Sequence, residues 1–275
     1  MKKSIAILGS ALVLATSAAY AASTSTTSTE TVAPSLVNKL KASYSATLYG
    51  SAVSNPLNSL QPDSATGSLD TTSPIMMKNK IGVGYKFTDD IALMPVLYWK
   101  NFAREQGFVL QNPYLKLSHN KLYNRGNFNL YGEVTVDAPL SEKAQNTGLI
   151  TNVSPTLISS FDIPSSRFTL STCAGMGANL YQSGRSAENK LLTFYVGPQV
   201  DYRIRSNMTT FVLYEMNAKQ VAYKGLSNDG TDLEIGLNWD ITPKVNLMPL
   251  LDFKTGNRVA TDTTTFITAL TLKLL

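Results

Sequence analysis

Ser118, His119 and Asn120 stand side by side in Leu117-Ser118-His119-Asn120, and His119 is the single histidine among 275 residues. Serine, histidine and asparagine are the residue types of a hydrolytic relay, in which the imidazole takes the hydroxyl proton and a third group orients the ring. That chemistry needs three converging side chains. On an extended chain, successive side chains point to opposite faces, so Ser118 and Asn120 share a face and His119 takes the other. The spacing argues against a relay, and His119 reads as a polar residue near a strand end. Asn228-Asp229-Gly230-Thr231-Asp232 has some calcium-loop letters but lacks a further carboxylate and the distal glutamate of such a loop. It reads as a loop turn. Asp89-Asp90 suits a tight turn. Cys173 is the single cysteine and has no histidine or metal-ligand partner in view, so it reads as inert. No glycine-rich phosphate loop follows a strand and opens a helix. The expectation is a protein with no catalytic residue, metal or cofactor.

The remaining chemistry lies in the placement of charge, and the elements that place it are organised around Ile81–Trp99. Ile81, Val83, Tyr85 and Phe87 alternate with Gly82, Gly84 and Lys86. After the turn at Thr88–Asp90, Ile91, Leu93, Pro95, Leu97 and Trp99 alternate with Ala92, Met94, Val96, Tyr98 and Lys100. Period two puts one set on an apolar face and the other on a mixed face. A near-copy returns at Ile235–Phe253 and a looser one at Val196–Tyr214, so one hairpin unit is reused.

Composition agrees. Hydrophobic residues make up 43%, charged residues only 16%, and there are 13 tyrosines, a balance that favours strands. No helical period persists after residue 36. Lys2 and Lys3, the apolar run Ile5–Ala15 and Ala19-Tyr20-Ala21 read as a secretory signal peptide, residues 1–21. Without those two lysines the formal charge falls from +5 to +3, and no run of lysine or arginine exists to grip phosphates, so nucleic acid is not an expected partner. Residues 22–36 form a Ser/Thr-rich flexible segment. An exported chain with one cysteine has no internal disulfide and must be held by something else.

From 37 to 275 the alternation predicts twelve strands, near 39–53, 75–87, 91–103, 109–122, 128–137, 149–163, 167–181, 191–204, 208–219, 231–241, 245–254 and 263–275; ten to fourteen also satisfy the pattern. Short turns fall at Thr88–Asp90, Tyr123–Asn127, Pro164–Ser166, Arg205–Asn207 and Thr242–Lys244. Most other links are longer: 54–74, 138–148, 182–190, 220–230 and 255–262. Pro95, Pro113, Pro155, Pro198 and Pro249 fall within these strands on the outward face. Each forgoes a ladder hydrogen bond, which a bulge would absorb.

Over residues 37–275 this alternation of short and long links on an antiparallel sheet resembles the transmembrane β-barrels of the bacterial outer membrane, the porin-like superfamily. The resemblance implies an all-β, closed, up-and-down barrel with short turns and both termini in the periplasm, surrounded by outer-membrane lipid and inserted by the outer-membrane assembly machinery. The chain departs from the superfamily at Leu275, where an aromatic residue is usual. Closure also answers the edge problem, since an open sheet in lipid strands its edge N–H and C=O groups. Aromatics at the ends of the apolar faces fit membrane interfaces: Tyr85, Phe87, Phe128, Phe168, Tyr202 and Trp239 near short turns, Trp99 and Phe253 eight residues further up. Eight tilted residues climb about 21 Å, close to the ~25 Å apolar band of such barrels.

If the apolar face meets lipid, the mixed face lines a lumen with a backbone radius of roughly 12 Å. Its charges are segregated. Lys41, Lys78, Lys80, Lys86, Lys100 and Lys116 form a basic wall on the first four strands. Glu133, Asp137, Asp162, Asp201, Glu215, Glu234, Asp240 and Asp252 form an acidic wall, opposed only by Arg203 and Lys254. A wet lumen so lined acts as a passive channel for small hydrophilic solutes. The alternative is a plugged structural or adhesion barrel, with the charges paired as struts, that works through its extracellular loops.

Overall fold

The computed structural model describes residues 36–57, 60–62, 69–103, 108–182, 189–254 and 260–275. The expected leader and the Ser/Thr-rich segment up to residue 35 lie outside the described residues. Twelve strands form the wall: β1 (Leu40–Ala52), β2 (Met76–Lys86), β3 (Ile91–Phe102), β4 (Tyr114–Arg125), β5 (Phe128–Asp137), β6 (Leu149–Asp162), β7 (Phe168–Tyr181), β8 (Lys190–Arg205), β9 (Met208–Val221), β10 (Leu226–Thr242), β11 (Val245–Lys254) and β12 (Thr264–Lys273). Each pairs antiparallel with its sequence neighbours. The ring closes where β1 meets β12 over Ser43↔Lys273 to Tyr49↔Ile267, while its other edge holds β2 over Leu40↔Tyr85 to Tyr49↔Met76. The result is a closed up-and-down barrel in which each of the twelve wall strands has a neighbour on both sides.

The strands expected from alternation are present, β5 and β11 with the same ends. Several details differ; the turns expected at Arg205–Asn207 and Thr242–Lys244 are each tighter by the residue that pairs across them, Arg205 with Met208 and Thr242 with Val245, and three further differences follow. The turn expected at Tyr123–Asn127 is tighter, because Arg125 pairs with Phe128 and only Gly126-Asn127 remain between the strands. Gly126 takes φ +59°, a conformation glycine adopts without strain. The loop expected at 220–230 shrinks to 222–225, because β9 and β10 go on pairing to Gln220↔Leu226. The register shifts there between Asn217↔Gly230 and Ala218↔Asn228, so Asp229 is an extra residue in a bulge, with the Gly230 amide donating to Asn228 Oδ1 (2.8 Å). The Asn-Asp-Gly letters thus mark a bulge and not a loop turn. Third, the strand expected at 109–122 is split into Phe108–Leu110 and β4. Of the long links, 138–148 holds a short helix, Glu142–Asn146, and 54–74 holds a small hairpin of Leu60–Pro62 with Leu69–Pro74.

The prolines are accommodated without bulges, contrary to expectation. Pro113 lies in the gap before β4. The other four sit in strands and lose pairing on one side only. Pro95 pairs with Leu115 on β4, while toward β2 the register lapses between Gly82↔Val96 and Tyr85↔Leu93 and resumes unshifted. Pro155, Pro198 and Pro249 repeat the arrangement, keeping Val134, Thr172 and Thr268 as partners and interrupting the other neighbour. A missing N–H removes one local stretch of ladder and leaves the strand's alternation intact. Glycines occupy these lapses. A Cβ on Gly84 would lie 2.4 Å from Leu93 O, and one on Gly236 would lie 2.7 Å from Leu250 Cβ, so the side without a ladder bond is closely packed.

The outward face is apolar and open. Val83, Leu97, Leu157, Leu170, Val200, Val212, Ile235 and Phe266 are all exposed. Near the short turns, aromatics stack across or along strands: Tyr85 on Phe87 (5.5 Å between centroids), Tyr123 near Phe128 (6.0 Å), and Phe168 on its cross-strand partner Tyr202 (5.0 Å). Farther up, Trp99 lies between Tyr44 (6.4 Å) and Phe108 (6.2 Å). Trp239 and Phe253 are half-buried at outward positions of β10 and β11. Asn79 and Asn101 place a polar pair on this face. Asn79 is buried, accepts from the Tyr44 hydroxyl (2.8 Å) and donates to Asn101 Oδ1 (2.9 Å), so its amide is satisfied within the wall.

Candidate functional site

Inside the barrel, the inward positions of successive strands build three zones. The first is basic. Lys78 and Lys100 are direct cross-strand partners, both buried, and Lys80 faces Tyr98. Like charges so placed repel. Tyrosine faces offset this: the Lys78 ammonium lies 4.0 Å from the Tyr49 ring centroid, and that of Lys80 lies 5.4 Å from Tyr98 and 5.9 Å from Tyr114. Lys41 faces Gly84, Lys86 faces Ala92, and Lys116 faces Met94.

The second zone is apolar. Tyr49, Cys173, Tyr195, Phe211, Leu213, Met248, Leu250, Ile267 and Ala269 form one buried cluster, with Met76 and Ile158 packed against it. Leu213 has 0% of its surface exposed. These side chains come from β1, β7, β8, β9, β11 and β12, so they line an arc covering much of the circumference and narrow the lumen. Sequence alternation does place them inward, but only the closed ring lets them meet.

The third zone is acidic. Glu215 faces Asp232, Asp232 faces Lys254, and Glu234 faces Asp252, making one block on β9, β10 and β11. The Lys254 ammonium bridges Asp232 (3.5 Å) and Asp252. Glu215 Oε1 accepts from the Tyr195 hydroxyl (3.0 Å). Asp232 is a member that sequence reasoning assigned to a loop turn; its parity with Glu234 was the signal that it faces inward. The other expected acids are dispersed. Glu133 meets Lys116 (3.8 Å) and accepts from Tyr131 OH (2.5 Å), joining the two walls at β4 and β5. Asp201 accepts from Gln199 (2.7 Å) and Ser171 (3.3 Å), Asp240 from Asn246 (3.0 Å), and Asp162 from Thr169 (2.5 Å). Asp137 faces Tyr114.

The Ser–His–Asn letters do not converge. Ser118 Oγ donates to Ala92 O (3.5 Å) inside the wall, His119 Nδ1 accepts from the Lys121 amide (3.2 Å), and Asn120 Nδ2 donates to Asp89 O (3.4 Å). Cys173 is buried in the apolar arc. Asp229, on the bulge, is held by Lys190 (2.6 Å) and Lys219 (2.5 Å). Among the described residues no group of histidine, cysteine and carboxylate side chains is placed to hold a metal ion.

A closed twelve-stranded ring, apolar outside and charged inside, decides the architecture. The fold is that of the porin-like outer-membrane barrels. The COG4313 outer membrane channel from Pseudomonas putida F1 superposes with a TM-score of 0.55 at 10% identity, covering 91% of this chain and 100% of that one. The NanC porin superposes with a TM-score of 0.50 at 10% identity, covering 85% and 98%. No protein-family model matches the sequence, and no curated protein does. At 10% identity the likeness to these channels is one of fold.

Proposed function

We infer that the chain is an exported outer-membrane protein whose barrel passes small hydrophilic solutes passively. The observation that carries this is the pairing of an apolar exterior with a lumen lined by lysines on one side and carboxylates on the other. Charges in such number call for water among them, because burying them dry is costly. The apolar arc restricts passage to small solutes. A leader at 1–21 supplies export, lipid and the assembly machinery are the partners, and no side-chain constellation supports catalysis.

The arc also favours a second reading, a plugged barrel acting through its loops. The purified protein, inserted into a planar bilayer, separates the two. The channel reading expects ionic conductance. A silent bilayer with verified insertion overturns it, and loss of partner or surface binding on deletion of residues 54–73, with folding intact, would then support the plugged barrel.

A further inference from the structure

The two charged zones carry an inference about which solutes the lumen favours. Among the described residues, five buried side-chain atoms find no hydrogen-bond partner: Tyr98 OH, Asn217 Oδ1, Asp232 Oδ1, Asp252 Oδ1 and Thr265 Oγ1. Buried polar atoms are normally satisfied, so each of these marks a polar position that the protein itself leaves unfilled. They are not scattered. Tyr98 OH belongs to the basic zone, facing Lys80. The other four belong to the acidic block and its border: Asp232 and Asp252 flank Lys254, Asn217 precedes them on β9, and Thr265 is the direct cross-strand partner of Asp252. Thr265 is only 2% exposed and carries no charge, so it testifies to an acceptor-rich site independently of the carboxylates.

Four carboxylates surround one resident ammonium. Lys254 shows what the block holds well, a primary ammonium held between two aspartates, and it leaves the block with an excess of negative charge. Opposite, Lys80 and Lys100 with the Tyr98 hydroxyl offer donors to an anionic group, and Lys78 adds positive charge beside them. The two poles border one apolar cluster: the Lys78 ammonium stands 4.0 Å from the Tyr49 ring and Glu215 accepts from the Tyr195 hydroxyl, and both tyrosines belong to it. From β2 to β11 is three strand spacings, about 14 Å along the wall, and long side chains shorten the span.

Resting on the channel reading, we propose that the lumen selects zwitterionic solutes whose ammonium and carboxylate groups stand several bonds apart, of the kind found in short peptides, with the ammonium turned to the Glu215–Asp252 block and the carboxylate to the Lys78–Lys100 strip. A neutral solute gains nothing from either pole. A singly charged one is attracted to one pole and repelled by the other.

The test is liposome swelling with triglycine and with its capped, uncharged relative N-acetyl-diglycinamide, alongside potassium chloride conductance of the same preparation. The rate ratio is independent of how much protein inserts. Triglycine is expected to enter at least threefold faster, and Glu234→Gln and Lys80→Met are each expected to bring the ratio close to one, with folding verified by heat-modifiable gel migration. A barrel that conducts salt but admits the two peptides equally overturns the inference and leaves the channel standing. A ratio that survives both substitutions also overturns it. A barrel silent to salt and to peptides overturns both readings.

Discussion

Glu234 and Asp252 are direct cross-strand partners inside the barrel, two carboxylates facing each other at 7% and 2% exposure. Such a pair is repulsive on its own, and it persists because Lys254 supplies its ammonium to Asp252 and Asp232. Lys254→Met should therefore destabilise the barrel by about 3 kcal/mol, the usual cost of orphaning a buried partner. Adding Asp252→Asn should restore part of it. Urea unfolding in detergent, followed by the shift from folded to unfolded gel migration, reads both. An unchanged midpoint in the single variant would show that Lys254 is not what holds the block.

Gly84 is the point of closest approach beside the Pro95 lapse, where an added Cβ would stand 2.4 Å from the Leu93 carbonyl oxygen. That neighbour is backbone and cannot rotate away. Gly84→Ala should cost about 1–3 kcal/mol as an overpacking change, seen as a lower unfolding midpoint. Pro95→Ala, which restores a donor to a lapsed stretch without altering register, should move the midpoint by less than Gly84→Ala does.

Leu97 lies midway along β3 on the outward face and is 55% exposed. In a soluble protein an arginine there would be harmless. In lipid it should cost about 2–4 kcal/mol. Folding of Leu97→Arg into phospholipid vesicles, compared with its folding in detergent, tests whether this face meets hydrocarbon.

Leu213 is fully covered within the apolar arc. Trimming it should widen the narrowest part of the lumen. Leu213→Ala is expected to raise single-channel conductance in the planar bilayer while lowering stability by about 3 kcal/mol through the cavity it leaves. Conductance that does not rise would mean that the arc is not the constriction.

Strand positions were legible because period-two alternation is a property of a few consecutive residues. Phe128–Asp137 and Val245–Lys254 emerge with the same ends from sequence and structure. Lys78, Lys100, Glu215 and Glu234, expected on the mixed face, are buried. The misreadings fell where local signals mislead. Asn228-Asp229-Gly230 carries turn letters, yet its neighbours keep pairing across a bulge, and Asp232 was thereby missed as a lumen residue. Proline letters advertised bulges, while the structure drops one stretch of ladder and keeps register.

By itself the sequence determined which side chains face in and which face out, because that follows from the chain's own pleat. Only the tertiary structure decided which of them meet. The seam of β1 with β12, the gathering of Leu213, Ile267, Tyr49 and Cys173 into one arc, and the placing of the Lys78 ammonium over the Tyr49 ring depend on registers accumulated over twelve strands. Those registers fix the barrel's tilt and diameter together, and no short window of residues contains them.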